Sequence, residues 1–226
     1  MSPPATLLKV LQLGDSFFPS GANVFSYGLE GLREQGRLLH ADDVERLVEG
    51  QLAHRWADGE RVALLHAYAA AGDLDAVQRV DQLVEASSLV ESWRLGGRRL
   101  GRSLLRTHRA LGTEGAAAYD ERVRAVRAPG QASAVHGLVA FASGLSGDEA
   151  ATLSAYGLII GLVSAALRLG VLSHLDGQRI VGRQLERVSA LVALPVPPLA
   201  ALATWVPHAE IASMRQEARR GRLFAT

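Results

Sequence analysis

Apolar residues return every three or four positions along almost the whole chain, and that period restricts the fold more than any single motif does. Val44, Leu47, Val48, Leu52 and Trp56 form one such row, and Tyr119, Val123 and Val126 another. Side chains at those separations share one face of an α-helix. Sustained alternation at a period of two is missing, so no stretch has the pattern of a half-buried strand. Ala and Leu are abundant and runs of β-branched or aromatic residues scarce, so the chain reads as all-α.

Helices are predicted over residues 6–13, 24–35, 42–57, 59–71, 75–87, 89–111, 113–126, 133–143, 148–169, 175–194 and 199–220. Asp42 and Asp43 put negative charge at a helix start, Gly72 and Asp73 make a turn, Ala128-Pro129-Gly130 breaks the chain, and Pro195, Pro197 and Pro198 separate the last two helices. The Pro/Gly clusters are short and no repeat of fixed period is present, so residues 1–226 are expected to form a single globular domain of about ten packed helices. The most apolar window, residues 155–167, is shorter than a bilayer span and reads as a buried helix. No signal peptide is read at the N-terminus, and a cytoplasmic protein is expected.

Composition removes several chemistries. The chain has no Cys, which excludes disulfides, thiolate metal sites and thiol nucleophiles and fits a reducing compartment. Lys9 is the only lysine against 23 arginines, so no lysine can complete a phosphate-binding loop or form a Schiff base beyond the first helix. The seven histidines are scattered. His54 and Asp58 are four apart, a spacing that suits a surface ion pair better than a metal. With no phosphate loop, dinucleotide fingerprint or serine elbow, no catalytic, cofactor-binding or metal-binding residues are expected.

The densest charge lies in "SWRLGGRRLGRSLLRTHRA", where Arg94, Arg98, Arg102, Arg106 and Arg109 fall along one stripe of a helix with Arg99 beside them. It can be a surface for phosphates or an acidic protein, or a solvated face paired with neighbouring acids. The net charge is +1, and Trp93 is the only aromatic nearby, so a nucleic-acid partner is not expected. Gly157, Gly161 and Ala165 recur every four residues as a smooth ridge, expected to pack inside the core. Gly28 falls inside the predicted helix 24–35, where a glycine costs about 1 kcal/mol relative to Ala, so close contact of its backbone with another element or with a partner is expected.

Three stretches in order resemble the family of the urease accessory protein UreF: "LLKVLQLGDSFFPSGANVFSYGLEGL", "SAYGLIIGLVSAALRLGVLSHLDGQRI" and "IASMRQEARRGRLFAT". They carry Pro-x-Gly followed by Ser-x-Gly-Leu-Glu, a small-residue helix followed by Arg-Leu-Gly and Gly-Gln, and Ser-Met-Arg-x-Glu followed by Arg-Leu-Phe. The resemblance spans almost the full chain. It implies an all-α, dimeric, non-catalytic chaperone that binds UreD (UreH in some systems), recruits the GTPase UreG, and engages apo-urease for nickel insertion, with nickel and GTP handled mainly by the partners. It also implies partner-facing roles for Pro19, Gly21, Ser26, Gly28, Leu29 and Glu30 and for Arg215, Glu217, Arg222 and Phe224, with residues 221–226 a docking tail. The chain departs from the family pattern at Asn23, where an aromatic is common, and at Gln216, where His is common. An alternative is a regulator that supplies an arginine of the stripe to the nucleotide site of the partner GTPase.

Overall fold

In the computed structural model, residues 4–19 and 27–217 are described. Every regular element among them is helical: α1 (Pro4–Gly14), α2 (Leu29–Glu34), α3 (Ala41–Gly50), a π-helical segment (Gln51–Glu60), α4 (Arg61–Ala69), α5 (Leu74–Ser87), α6 (Glu91–Ala110), α7 (Ala116–Arg124), α8 (Ala132–Ala142), α9 (Gly147–Arg168), α10 (His174–Val192), a 3-10 turn (Leu199–Ala201) and α11 (Pro207–Glu217). The helix starts are set by local chemistry. Asp73 accepts from the backbone N–H groups of Asp75 and Ala76, Ser146 and Glu149 form a reciprocal capping box, and Ser173 caps α10.

The centre of the molecule is the rod formed by α3, the π segment and α4, and two apolar clusters share it. Val44, Val48, Leu52 and Trp56 pack with Leu29 of α2, Ile159 and Leu162 of α9 and Ile180 of α10. Ala63 and Ala67, further along, join Val77, Leu104, Leu105, Tyr119 and Leu138. α8 approaches α4 closely because Gly137 has no side chain to strike the Leu64 carbonyl. Arg61, 2% exposed, leaves α4 to donate to the carbonyls of Leu194 and, at 3.3 Å, Val192. A cation is thereby set at the C-terminal end of α10, where free carbonyls collect.

Three expectations are corrected. The break predicted between the helices 42–57 and 59–71 is absent: residues 41–69 are one helical run, in which Gly59 allows a close contact. The helix expected from residue 24 cannot contain Gly28, because Tyr27 and Gly28 have φ of 45° and 89°, and Gly28 is instead the residue before α2. The helix expected over 199–220 is a 3-10 turn, a stretch without helix, and α11 beginning at Pro207, the position where a missing N–H costs a helix nothing.

α9 is longer than its apolar window suggested. It has 22 residues and a mean hydropathy of 1.8 in its most apolar 18-residue window, long and apolar enough to cross a membrane by those two measures; half of that window is buried inside the molecule. Of the ridge on this helix, Ala165 and Gly161 are buried, whereas Gly157 is exposed. Nothing lies within 4 Å of the point where a side chain on Gly157 or Gly161 would begin. The ridge faces a cleft there, not a packed helix.

Candidate functional site

Three separate parts of the sequence meet at the π segment. On its outer side, the carbonyls of His54 and Asp58 accept hydrogen bonds from the backbone N–H groups of Trp205 and Ala203, at 3.2 and 3.0 Å. Residues 203–205 therefore lie along the helix like a strap. Gly59 permits this, since a Cβ there would meet the Ala203 carbonyl oxygen at 2.9 Å. The i→i+5 bonding of a π-helix is uncommon and recurs at functional positions.

The strap delivers α11 onto α2. The left-handed turn at Tyr27 and Gly28 starts α2 so that Leu29 is fully buried and Glu30 is 5% exposed. A Cβ on Gly28 would lie 2.6 Å from the carbonyl oxygen of Ala209, and one on Gly31 2.7 Å from that of Ala212. These glycines let two helix backbones touch. Trp93 of α6 completes the contact by donating its indole N–H to Ser213 Oγ of α11 at 3.0 Å.

Beneath this junction sits Arg55, 7% exposed. Its guanidinium lies 3.8 Å from the centre of the Tyr27 ring and 5.1 Å from that of Trp93, while the two rings meet edge to face. Its Nη2 donates to Glu60 Oε1 at 2.5 Å. Burial works against the charge on Arg55, but the Glu60 carboxylate and Tyr27 outweigh it and hold the group above its ordinary value. Burial pushes the Tyr27 phenol up. A buried arginine with a carboxylate partner and two aromatic faces is a strong fixing point, costly to leave half-made.

Tyr27, Arg55 and Trp93 also line a cleft of about 540 Å³, with His108, His136 and Gly161 on other walls. Burial and the neighbouring His108 push His136 down to about 4. Burial lowers His108 too, and its Nδ1 is 2.9 Å from Thr113 Oγ1. Among the described residues no group of three or more His, Asp or Glu is placed to hold a metal ion. The cleft offers a shaped and largely apolar surface.

The expected site residues divide. Gly28, Leu29 and Glu30 come together with α11, and Arg215 projects from that helix, exposed, while Glu217 closes it. Pro19 stands apart on α6, its carbonyl accepting from Thr107 Oγ1 at 3.0 Å. Gly21, Ser26, Arg222 and Phe224, with the tail from residue 221 and Asn23, lie outside the described residues. Gln216 is 2% exposed. His54 and Asp58 are 4.0 Å apart and well exposed, as their spacing suggested. Arg55, Trp93 and the strap were not singled out from the sequence; a cation amid apolar helical positions, at residue 55 beside Trp56, was the available signal.

The UreF family model matches residues 38–184. The urease accessory protein UreF of Azorhizobium caulinodans is 33% identical over 99% of this chain and 96% of its own length, and that of Kocuria rhizophila 32% identical over 97% of both. The UreF of Trichodesmium erythraeum is 28% identical over 96% of both chains. Related from end to end to proteins of that name, and matched by the family model over most of its core, the chain belongs to the UreF family of urease accessory proteins.

Proposed function

We propose that this chain is a non-catalytic scaffold of urease maturation, acting in the cytoplasm as a homodimer. It joins UreD (UreH) and UreG on apo-urease so that GTP hydrolysis by UreG drives nickel incorporation. Nickel is the cargo and GTP the partner's ligand, and this chain binds neither directly. The observation that carries the reading is the near full-length kinship with urease accessory proteins.

The distribution of apolar surface supports association. α11 turns Ala209, Ala212 and Ser213 inward, while Ile211 and Met214 are 46% and 41% exposed beside Arg215. α1 buries none of its residues, and Leu7, Leu8 and Leu11 are each more than half exposed. Exposed apolar rows of this kind mark surfaces that other chains cover. The test is size-exclusion chromatography of the purified chain with UreD and UreG, followed by the nickel content of urease coexpressed with and without it. A shared peak and nickel-loaded urease only when this chain is present are expected. Failure to form any complex, with every protein folded, overturns the scaffold.

A further inference from the structure

α6 carries six arginines, and the fold neutralises them unevenly. Arg94 and Arg98 both reach Glu85 of α5. Arg109 pairs with Asp120 at 2.8 Å, but Asp120 also receives Arg124 at 2.9 Å, so one carboxylate serves two cations. Arg99, Arg102 and Arg106 are exposed and make no ion pair or hydrogen bond among the described residues. Their separations of three and four place them in one row about 10 Å long.

The flank of this row is built as well. Ser103 and Thr107, each next in sequence to an arginine of the row, hold the Pro19 carbonyl. The turn before Pro19 is thereby laid along α6. Phe18 packs inward on His108, with ring centres 5.7 Å apart, and Phe17 points out, 93% exposed. Leu95, 38% exposed, extends the row at its N-terminal end. No ion pair or hydrogen bond among the described residues engages these three guanidinium groups, and Phe17 stands exposed at the rim of the cleft.

We infer that Arg99, Arg102 and Arg106, with Leu95 one turn before them and Phe17 on the turn whose Pro19 carbonyl Ser103 and Thr107 hold, form a docking surface for an acidic segment of a protein partner. The segment is one bearing carboxylates at helical spacing and an apolar residue. Charge complementarity and the aromatic anchor argue for this occupant: arginine beside an exposed aromatic is the composition of interface hot spots, and planar guanidinium groups take carboxylates two-handed. Nucleic acid fits less well. Three arginines neutralise at most about three phosphates, too few for firm binding at physiological salt, and the chain's net charge of +1 adds no long-range attraction. The inference goes beyond the scaffold reading and does not depend on which protein carries the acidic segment.

The probe is a short fluorescent helical peptide with Glu at i, i+3 and i+7 and a Leu beside them, its anisotropy measured against the full chain at low and physiological salt. A reordered peptide of the same composition and a single-stranded oligonucleotide serve as comparators. The in-register peptide is expected to bind several-fold tighter than the reordered one. Arg99→Glu/Arg102→Glu/Arg106→Glu is expected to weaken it by about tenfold or more, with helix content unchanged because these side chains support nothing in the fold. Phe17→Ser should weaken it less. Equal binding of the two peptides, no binding of either, indifference to the triple change, or tighter binding of the oligonucleotide would each overturn the inference.

Discussion

Asp81 shows how much one side chain can hold. It is fully buried, makes no close ion pair among the described residues, and accepts from the backbone N–H groups of Gly130 and Gln131 and from the hydroxyl of Tyr119, each at 2.7 Å. Burial raises its carboxyl above the usual range, opposed by those three donors. Asp81→Ala leaves all three unsatisfied, and at about 1–3 kcal/mol for each the loss in unfolding free energy should be about 3 kcal/mol or more. Urea denaturation measures it, and a loss below about 1 kcal/mol would show that the turn finds other acceptors. The turn at Ala128-Pro129-Gly130 was legible in the sequence because Pro and Gly act locally. Asp81, some fifty residues away, was not, because an aspartate on a helix looks the same whether it faces water or a distant loop.

Among the elements, the junction of α2 with α11 depends on two positions without a side chain. Gly28→Ala combines a left-handed backbone, worth about 1–2 kcal/mol against an L-residue, with a clash on the Ala209 carbonyl. Gly31→Ala adds only the clash. Both should loosen α11, seen as faster amide hydrogen exchange over residues 208–216, with Gly28→Ala the more severe; unchanged exchange there would mean that the strap alone seats the helix. That something approaches Gly28 closely could be read from a glycine amid helical periodicity, although that glycine lies before α2 in a left-handed turn and not inside a helix. That the approaching backbone is this chain's own last helix could not, since periodicity says which face is buried and not against what. Helix starts were recovered to within a residue or two where a polar cap marks them, as at Ser146 and Ser173, and missed at Gly59, where a glycine serves contact, and at Pro207, where α11 begins.

Across the whole molecule, acid should act through histidines before carboxylates. With His136 held near 4 and His108 also lowered, the unfolded chain takes up protons below about pH 6.5 that the folded chain refuses. Stability is therefore full above that pH and falls as pH drops from about 6.5 toward 4. Asp43 and Asp176, held below the carboxylate range by hydrogen bonds, lose their contribution lower still. Asp81 and Glu210, raised by burial, work in the opposite sense, so the imidazole share is read as a difference between proteins. Thermal melting of the parent should decline between pH 6.5 and 5, and that of His136→Gln should decline less; parallel curves would remove His136 from the account. The all-helical class and the family were legible because both rest on patterns spread over the whole chain. The Arg55 junction was not, because it assembles from residues 27, 55, 60, 93 and 213, and their proximity belongs to the fold.

The π segment acts as a phase shifter. An unbroken α-helix presents its apolar row in one direction, yet Val44, Val48, Leu52 and Trp56 serve one core and Ala63 and Ala67 another. The wider turns between them let the rod change its facing without a loop. A chain one residue shorter between positions 51 and 60 could close that stretch into ordinary α-helix. The same deletion in α3, which has no wide turn to give up, would turn the rest of the rod by roughly 100° about the axis, and Ala63, Ala67 and the α8 contact at Gly137 would then face the wrong way relative to Val44 and Val48. Length is therefore most strictly specified in the α-helical parts of the rod, and the wide turns at residues 51–60 are where a residue can be given up.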